Sequence, residues 1–450
     1  MCRKRTGRIL LDNRCASNYS GGQPKSEHFM ILTRRELIAS GSAAACAALL
    51  TSNSSQAAVS APAGARPRIA RVKTVEVRNV PTGKGLVLPW DPKKIPQDSR
   101  DYVITQFITD DGVIGTTMDG DYKLAEDIGR TVQELAESYF VGKDPFDIEA
   151  HNAEFFQKTK AKVRLFFLEI GLWDIIGKIC NQPLYRLWGA HSSKVKPYAA
   201  TVHFDRTPQQ RAEDALRFYE LGFRAIKIRF HHEKPADDLA LAAAVKNAVG
   251  DKMDVMVDAN QAGKKAGDPP PVWDYQWALT MARELDAMGI YWLEEPLNRF
   301  AYDDLARIRQ QLKRLHLAGG EGNVGLKDFA TMLGKGAYSY IQPDPVVSGP
   351  ISVVRKIGAM AEAHGVLFGP HHGKSGVGMM ASLHMQCAAG NSGYLEYMYD
   401  PGFWNPEGFQ AGFARPYPID RQGYVHAPAT PGLGIEWDRE FFRKHGLEMA

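Results

Sequence analysis

The chain has 450 residues, 44% of them hydrophobic, which is enough to build a large core and more than one domain. Its formal net charge of +4 comes from the first 65 residues, where eight Lys and Arg stand against three acids. The remainder carries a net charge of −1, which argues against nucleic acid or an anionic membrane surface as the partner.

Residues 1–65 form a leader that is typical of an export signal. The pair Arg34-Arg35 is followed by a weakly apolar run at 39–50 and then by sequence rich in Ser and Ala. Paired arginines, a short apolar segment and small residues mark a twin-arginine signal, and the apolar run is too short to span a bilayer. We therefore expect export to the periplasm, with Met30 as an alternative start. The same composition also fits a disordered tail, in which case the protein would stay in the cytoplasm.

Two of the five cysteines lie outside the leader, Cys180 and Cys387. Both have apolar neighbours in the sequence, so we expect core thiols rather than a disulfide. A metal site built on cysteine is not expected either.

Residues 66–195 are predicted to form a small α+β domain. Alternating apolar and polar residues predict strands at 71–77 and 102–109. A 3.6-residue period then predicts helices at 122–140 and 148–179. Asp110-Asp111-Gly112 follows the second strand and predicts a hairpin. The first two strands are joined by a loop from Pro81 to Pro96 that carries Trp90. Strands followed by helices indicate an α+β arrangement.

From residue 196 the pattern changes to alternating strands and helices. Short apolar runs predict eight strands, which begin near Val195, Ala225, Val255, Tyr291, His316, Tyr338, Val366 and Tyr394. Helical patterns lie between them, including 209–221, 236–249, 275–288, 302–315, 351–364 and 379–389. Eight such units favour a closed parallel barrel over 196–396, with a doubly wound open sheet as the alternative. Residues 397–450, rich in Gly, Pro and aromatics, are expected to run back over the first domain.

Three carboxylates end successive predicted strands: Asp258, Glu294 and Glu321. Active groups of parallel barrels lie at the C-terminal ends of the strands, so these side chains should lie together. An oxygen-only set suits Mg²⁺, or Mn²⁺, better than zinc. Any one of them alone could instead cap the following helix. Asn260 would point the same way as Asp258, whereas Glu295 and Glu294 are adjacent and only one can point inward.

The second predicted barrel strand places three basic side chains on one face: Lys227, Arg229 and His231. Apolar residues alternate with them, as in a strand of a barrel wall. Basic groups facing a cluster of carboxylates could hold an anionic substrate. The alternative is a solvated basic edge.

Two later strands supply a carboxylate and an imidazole, Asp344 and His371. An Asp beside a His fixes the tautomer of the ring and raises its basicity, which suits a general base. A lone histidine is more often structural, but this one ends a strand next to the strand that carries Asp344. Glu396 on the last strand completes the set of polar groups. A metal, cations and a base together suit removal of a proton beside a carboxylate, because they stabilise the resulting enediolate.

With these residues, the sequence resembles the enolase superfamily, in its mandelate racemase subgroup, over about residues 70–440. The matching motifs are G-L-W-D-I-I-G-K at 171–178, V-D-A-N at 257–260, W-L-E-E-P at 292–296, G-G-E-G at 319–322, the Asp344 and His371 pair, and P-G-L-G at 431–434. The resemblance implies an α/β fold in which an α+β capping domain, 66–195, covers a (β/α)7β TIM-like barrel, 196–396. The segment 397–450 would return to the capping domain. An even-numbered homo-oligomer is also implied.

The resemblance assigns roles to the strand-end residues. It implies that Asp258, Glu294 and Glu321 bind one Mg²⁺ per subunit, with Mn²⁺ as the alternative metal. It implies that His371 is the general acid/base and that Asp344 is its partner.

The remaining positions would contact the substrate. Glu396 would be a hydrogen-bonding or acid group, and Lys227 and Arg229 would hold the substrate carboxylate and the enediolate. Further substrate contacts are expected from Asn260, His231 and Trp90.

One departure from the family pattern affects the predicted reaction. The family's second barrel strand usually carries Lys-x-Lys, whereas this chain has Lys227-Ile228-Arg229. Arginine stays protonated at ordinary pH and is a poor base. Racemisation needs a proton acceptor on both faces of the substrate, so the substitution argues against a racemase. Dehydration can use His371 as base and then as acid, while His231 is the candidate for a second base.

We therefore expect a Mg²⁺-dependent carbon–oxygen lyase that dehydrates a sugar acid to a 2-keto-3-deoxy acid. The partner is a small carboxylate rather than nucleic acid or a membrane. A racemase, epimerase or cycloisomerase acting through the same intermediate is the first alternative. The second is an exported sugar-acid-binding protein without catalysis. The Asp344 and His371 pair argues against it, because a binding module needs no base.

Overall fold

The structure is a computed structural model, and it describes residues 66–87, 96–121, 124–160, 163–204, 206–372 and 374–449. These residues belong to one compact unit, Gly64–Ala450. The predicted twin-arginine leader and Trp90 lie outside the described residues, so both interpretations stay predictions. Within the described ranges, no helix has the length and apolar character needed to cross a membrane.

The capping region begins with a three-stranded antiparallel sheet, formed by β1 (Ile69–Val87), β2 (Pro96–Thr109) and β3 (Ile114–Asp121). The predicted hairpin between β2 and β3 is confirmed, and Gly112 in its turn has a φ of 86°, a left-handed conformation that favours glycine. The loop predicted from Pro81 to Pro96 is wrong in its extent. Bulges after Val77 and after Pro81 let the β1–β2 ladder continue, and Pro81 pairs with Ser99.

The other elements of this region are α1 (Ile128–Phe140), α2 (Ile148–His151), a π-helical turn at Asn152–Phe156, α3 (Gln157–Thr159), α4 (Leu168–Ile179), α5 (Leu184–Leu187) and β4 (Lys194–Val195). The sheet approaches α4 closely, since a Cβ on Gly115 would lie 2.1 Å from the Gly171 carbonyl oxygen. Cys180 follows α4 and is exposed, so the expected core thiol is wrong at this position, because the chain leaves the core where α4 ends. Cys387 is buried as expected.

Eight parallel strands form the second sheet: β5 (Pro197–Ala200), β6 (Ala225–Arg229), β7 (Asp254–Asp258), β8 (Trp292–Glu294), β9 (His316–Gly319), β10 (Tyr340–Ile341), β11 (Leu367–Phe368) and β12 (Leu395–Met398). The strands lie in the order β11, β10, β9, β8, β7, β6, β5, β12. The sheet closes on itself because Phe368 of β11 forms backbone hydrogen bonds with Asn391 and Gly393, just before β12. Seven helices connect the strands: α6 (Pro208–Glu220), α7 (Pro235–Val249), α8 (Tyr275–Met288), α9 (Tyr302–Arg309), α10 (Gly325–Gly334), α11 (Ile351–Ala363) and α12 (Gly376–Ala388). The predicted (β/α)7β barrel is confirmed.

Three details of the barrel differ from the sequence interpretation. The strand predicted near Val195 is β4, which pairs outside the barrel with β13 (Val425–His426), so the first barrel strand starts at Pro197. Helix α10 has no counterpart among the predicted helical patterns. Helix α9 ends at Arg309, short of the predicted residue 315. The Asp286 carboxylate accepts the backbone N–H groups of residues 313–315 at 2.7–3.0 Å and holds them in a turn.

Large side chains fill the barrel interior below the carboxyl ends of the strands. Trp292 of β8 is fully buried and packs against the rings of Tyr198 and Tyr340, with centroid separations of 5.1 and 4.7 Å. Such aromatic contacts bury large areas and fix the relative positions of the strands. The polar residues at the strand ends therefore rest on a packed layer.

Residues beyond β12 contact the capping region. They include α13 (Pro406–Phe409), β13 and α14 (Arg439–Lys444). Glu448 lies 2.7 Å from the Arg71 guanidinium of β1, and its backbone N–H donates to Gln106 Oε1 of β2 at 2.9 Å. The predicted domain limits themselves stay predictions.

Asp174 in α4 connects the C-terminal segment to the capping region. Its buried carboxylate accepts the backbone N–H groups of Thr116 and Leu433 at 3.1 and 2.9 Å. Lys178 donates to it at 2.9 Å. We expect Asp174→Ala to lower the free energy of unfolding by ~3–5 kcal/mol, because buried donors and a cation lose their acceptor.

Urea denaturation measures this change in the free energy of unfolding. Glu220→Ala, at an exposed position of α6, is the matched control and should change it by less than about 0.5 kcal/mol. A loss below about 1 kcal/mol for Asp174→Ala would show that other contacts hold the C-terminal segment in place.

Candidate active site

The carboxyl ends of the barrel strands bring three predicted carboxylates to one edge of the sheet. Asp258 and Glu294 are the last residues of the neighbouring strands β7 and β8, where they are paired in register. Glu321 follows β9, the next strand, by two residues. Asp258 and Glu294 are fully buried, whereas the Glu321 side chain is 27% exposed. Parallel strands thus align carboxylates that are far apart in the sequence.

Lys227 of β6 is buried among these carboxylates. Its Nζ donates to both carboxylate oxygens of Glu294, at 3.1 and 3.2 Å, and to Glu396 Oε1 at 3.3 Å. Asp258 Oδ2 lies 3.5 Å from the same nitrogen. A buried ammonium needs such partners, because an unpaired charge is costly to desolvate. Burial alone would lower the pKa of Lys227, but the carboxylates raise it, so the side chain stays a cation.

Arg229, the last residue of β6, contacts Asp258 and Asn260. Its Nη1 forms an ion pair with Asp258 and donates to Asn260 Oδ1 at 3.1 Å, and its Nε donates to the Thr201 carbonyl at 3.0 Å. Asn260 has a φ of 47°, which turns its Nδ2 back to within 3.2 Å of Asp258 Oδ2. Burial alone would lower the pKa of Arg229, but Asp258 raises it, so the guanidinium cannot serve as a base.

His231 continues this line of basic side chains. Its Nε2 lies 3.1 Å from Asn260 Oδ1, and its ring packs edge-to-face on Phe204 with a centroid separation of 4.9 Å. Burial lowers the pKa of His231 to about 3, so the imidazole is neutral. Because Asn260 directs its Nδ2 at Asp258, its oxygen faces His231, and Nε2 is the donor in this contact. The ring therefore holds the Asn260 amide and has no free Nε2 lone pair for a second base.

The structure brings Asp344 and His371 into contact. His371 Nδ1 donates to Asp344 Oδ2 at 2.7 Å, which fixes the tautomer of the ring. Buried Asp344 is itself held, since its Oδ1 accepts the Val346 backbone N–H at 2.7 Å. His371 Nε2 lies 3.2 Å from Glu321 Oε2 and 3.7 Å from Glu396 Oε2. Burial alone would lower the pKa of His371, but these two carboxylates raise it well above its usual value.

Glu396 of β12 links the lysine and histidine sides of the cluster. Its position depends on His372, which the sequence analysis does not single out. The His372 backbone N–H donates to Glu396 Oε2 at 3.2 Å, and its ring Nε2 contacts the Glu396 carbonyl. Burial alone would raise the pKa of Glu396, but His371 and Lys227 hold it well below its usual range. The doubled histidine was the available sequence signal for this supporting residue.

Glu294 and Glu295 have different surroundings, as expected for adjacent residues. Glu294 binds Lys227, whereas Glu295 is buried with a φ of 48°. Among the described residues, Glu295 Oε1 has no hydrogen-bond partner. Burial and the charge of Glu321 raise the pKa of Glu295 well above its usual value. Burial and the charge of Asp258 raise the pKa of Glu294 to about 7. The cluster thus holds more carboxyl groups than its internal cations neutralise.

Each predicted metal ligand is paired with a basic side chain of the protein: Asp258 with Arg229, Glu294 with Lys227, and Glu321 with His371. In this arrangement, the described part of the chain contains no group of three or more His, Cys, Asp or Glu side chains positioned to hold a metal ion. The physical reason is that charge-assisted hydrogen bonds draw the carboxylate oxygens toward the internal cations. The assignment of these three carboxylates as Mg²⁺ ligands therefore stays a prediction, which rests on the preference of Mg²⁺ for oxygen donors.

The arrangement can bind an anion and move a proton. Lys227 and Arg229 are permanent cations. His371 is oriented by a buried carboxylate, and its raised pKa means that it holds a proton while Glu321 and Glu396 keep their charge beside it. It acts as a base when that charge is neutralised. Such a set can hold a carboxylate while a proton is removed from the neighbouring carbon. Of the predicted substrate contacts, Asn260 and His231 lie beside Arg229, and Trp90 lies outside the described residues.

Two family models match the chain. The model described as "Enolase C-terminal domain-like" matches residues 210–441. The model for the N-terminal domain of mandelate racemase and muconate lactonizing enzyme matches residues 85–189. The first match falls on the barrel and the segment after it, and the second falls on the capping region.

Individual proteins match over more than half of the chain. An arabinonate dehydratase of Saccharolobus solfataricus is 26% identical over 351 residues, which cover 76% of this chain and 90% of the relative. A 3,6-anhydro-alpha-L-galactonate cycloisomerase of Streptomyces coelicolor is 31% identical over 276 residues, 61% of this chain and 69% of the relative. The crystal structure of a racemase from Streptomyces coelicolor A3(2) with bound magnesium is 25% identical, with a TM-score of 0.70, and the match covers 84% of this chain and 99% of that one. The chain therefore belongs to the enolase superfamily, in its mandelate racemase subgroup.

Proposed function

We propose that the protein is a Mg²⁺-dependent enzyme that removes the proton beside the carboxylate of a sugar acid and then eliminates water. The observation that carries the proposal is the 2.7 Å contact between His371 and Asp344 next to two permanent cations. An imidazole oriented by a buried carboxylate suits a general base, and nearby cations stabilise the enediolate that results. The relatives named as an arabinonate dehydratase and an anhydrogalactonate cycloisomerase support acid sugars as the substrate class.

The donor chemistry of the cluster fits a divalent cation. Six carboxyl groups meet two permanent cations there, the carboxyls being those of Asp258, Glu294, Glu295, Glu321, Asp344 and Glu396. Asp258, Glu294 and Glu321 offer only oxygens, which Mg²⁺ prefers, and we propose that they hold one ion per subunit. The bound ion would supply the missing positive charge and neutralise the substrate carboxylate. The related racemase structure with bound magnesium supports this choice of metal.

The residues of the chain account for the movement of the proton. Lys227 and Arg229 hold the substrate carboxylate, and His371 accepts the α-proton at Nε2 while Asp344 stabilises the imidazolium. The protonated His371 then donates to the hydroxide that leaves the next carbon, and the charge of the Glu396 carboxylate, 3.7 Å from Nε2, stabilises the imidazolium. The α-carbon–hydrogen bond and the neighbouring carbon–oxygen bond break. The enol that remains takes a solvent proton at C3, releases the proton of its C2 hydroxyl to solvent and becomes a 2-keto-3-deoxy acid.

The basic strand favours dehydration over racemisation. Arg229 is a permanent cation paired with Asp258, and the Nε2 of His231 is bound to Asn260 while burial keeps the pKa of the ring low, so neither side chain is a ready second base. A cycloisomerase is the second candidate, because the cycloisomerase relative is 31% identical to this chain. A binding protein without catalysis would bind sugar acids without exchanging the α-proton.

A screen of a sugar-acid library with Mg²⁺ in deuterated water tests the proposal. We expect at least one acid to give a 2-keto-3-deoxy acid, and we expect EDTA to stop the reaction. An isomer without keto acid would favour the cycloisomerase. Binding without any α-proton exchange would contradict the enzymatic proposal.

Arg229→Lys tests the reason for preferring dehydration. Lysine keeps the charge but loses the guanidinium hydrogen bonds to Asn260 and Thr201. We expect kcat/KM for keto acid formation to fall roughly 10- to 100-fold, because hydrogen bonds to charged groups contribute ~1.5–3 kcal/mol. Deuterium should also appear at the α-carbon of recovered substrate, because an amine can lose its proton where a guanidinium cannot.

Steady-state kinetics and mass spectrometry of the recovered substrate measure the two effects of Arg229→Lys. The matched control is Arg283→Lys, at an exposed position of α8, which should leave both quantities unchanged. An unaltered kcat/KM for Arg229→Lys would exclude Arg229 from the substrate site.

A further inference from the structure

A groove of about 480 Å³ opens at the end of the barrel where the strands begin, opposite the strand ends that carry Asp258 and Glu294. The end of α9, the turn after it, the start of β9 and the segment between α10 and β10 form its walls. Its ten lining residues all lie in the described ranges, and none of them is Asp or Glu. Five of them are basic: Arg309, Lys313, Arg314, His316 and Lys335. We refer to this surface as the basal groove.

Two of the basic residues have a role at helix ends. Arg309 and Lys335 lie at the C-terminal ends of α9 and α10, where a positive charge is favourable in any helix. Arg309 Nη1 donates to the Gly336 carbonyl at 3.0 Å, and Lys335 Nζ pairs with Asp303 at 2.5 Å. Within the described ranges, the other donors of Arg309 have no protein acceptor. Lys335 is therefore neutralised, whereas Arg309 keeps charge and donors for a ligand.

Lys313 and Arg314 lie on a rigid turn at the edge of the basal groove. They follow the last residue of α9 by four and five positions, so neither caps that helix. The Asp286 carboxylate accepts the backbone N–H groups of residues 313–315 at 2.7–3.0 Å, and Leu315 is 4% exposed. These contacts fix the backbone, but in the described part of the chain neither basic side chain forms an ion pair. Two cations on a fixed backbone lose less freedom when they bind a ligand.

His316 and Ser339 supply neutral donors inside the basal groove. His316 Nδ1 lies 3.0 Å from Ser339 Oγ, and the ring packs on Tyr291 with a centroid separation of 5.1 Å. Burial lowers the pKa of His316, and the nearby charge of Arg309 lowers it further, so the ring is neutral. When Ser339 donates to Nδ1, the proton of the ring lies on Nε2, which can then donate to an anion. The basal groove thus combines neutral donors with three permanent cations that no carboxylate of the described chain pairs.

We propose that the basal groove binds a small molecule through its phosphate ester. At neutral pH a phosphate ester carries a charge of about −1.5 to −2 and three acceptor oxygens, so it matches several cations better than a single carboxylate does. Arg314 can donate two parallel hydrogen bonds to such a group, and Arg309 and Lys313 add positive charge.

The size of the basal groove favours an ester over inorganic phosphate. Its volume of about 480 Å³ lies in the range of small-molecule sites, roughly 300–1,000 Å³. Leu312 and Gln310 offer an apolar and a polar surface to the rest of the ligand. Because the groove lies at the other end of the barrel, this site is distinct from the active site.

Isothermal titration of the full-length chain with glucose 6-phosphate tests the proposal. We expect it to bind more tightly than inorganic phosphate, whereas glucose should not bind. The double variant Lys313→Glu/Arg314→Glu should raise the dissociation constant roughly 30-fold or more, because charge-assisted hydrogen bonds are lost and two carboxylates face the phosphate. Arg443→Glu/Lys444→Glu, an exposed basic pair on α14, is the matched control and should bind as the wild type does.

The proposal is overturned if glucose 6-phosphate does not bind. It is also overturned if Lys313→Glu/Arg314→Glu binds as tightly as the wild type, because the phosphate would then lie elsewhere, as at Lys227 and Arg229 of the active site. Inorganic phosphate that binds at least as tightly as the ester would contradict the choice of an ester. Far-UV circular dichroism establishes that each variant is folded. Lys313→Gln/Arg314→Gln removes the charges without reversing them, should weaken binding roughly 10-fold, and decides the question if the Glu variant does not fold.

Discussion

Replacing His371 with Asn is expected to stop proton removal while leaving the fold intact. The Asn amide can still donate to Asp344, which now accepts from His371 Nδ1 at 2.7 Å. It offers no nitrogen that can accept a proton at neutral pH, so the general base is lost. General acid–base catalysis contributes a factor of roughly 10² to 10⁴, and we expect kcat for keto acid formation to fall by this factor.

The kinetics of His371→Asn need two companion measurements. Mg²⁺ affinity, measured by calorimetry, should stay close to that of the wild type, because His371 is not among the proposed ligands. His364→Asn, at the exposed end of α11, is the matched control and should keep full activity. Undiminished α-proton exchange in His371→Asn would remove it as the base, and loss of Mg²⁺ binding would place it in the metal site instead.

Glu294→Gln is expected to have an effect of similar size for a different reason. Glutamine has almost the same shape but no charge, and buried Glu294 takes two hydrogen bonds from Lys227, at 3.1 and 3.2 Å. The substitution removes a proposed ligand and leaves a buried ammonium short of a counter-charge. We expect kcat/KM to fall roughly 10³-fold or more, because charge stabilisation of several kcal/mol is lost from the transition state.

The dependence of the rate on Mg²⁺ concentration measures the effect of Glu294→Gln most clearly. Calorimetric titration should show weaker Mg²⁺ binding than the wild type, independent of turnover. Glu220→Gln, an exposed carboxylate on α6, is the control for loss of one negative charge. A Glu294→Gln variant with the wild-type response to Mg²⁺ would exclude this residue from the metal site.

The barrel strands show how far local pattern predicts this fold. Strand β7 is a short apolar run that ends in Asp258, and such runs, repeated with helical periods between them, predict the order of all eight strands. The first strand is misplaced for a physical reason. Lys194–Val195 has strand character, but its partner is Val425–His426, near the other end of the chain. Local pattern cannot identify a partner so distant in the sequence.

The positions of some residues of the site follow from local sequence, whereas those of others depend on contacts between distant segments of the chain. The ends of β7 and β8 predict where Asp258 and Glu294 lie, because polar residues that follow buried strands share one edge of a parallel sheet. The support of Glu396 by His372 depends on contacts between β12 and the loop after β11, which no local pattern specifies. The Asn260 side chain, which follows a left-handed backbone, is likewise held by Arg229 and His231, which come from the preceding strand and the loop after it.

The claim that a single base acts at this site is tested most directly by partial conversion of an accepted sugar acid in deuterated water. We predict a 2-keto-3-deoxy acid that carries a solvent deuteron at C3, together with recovered substrate that keeps its configuration at the α-carbon. Recovered substrate inverted at the α-carbon would contradict the account, because inversion requires a second proton acceptor besides His371, and the Arg229 guanidinium cannot be one.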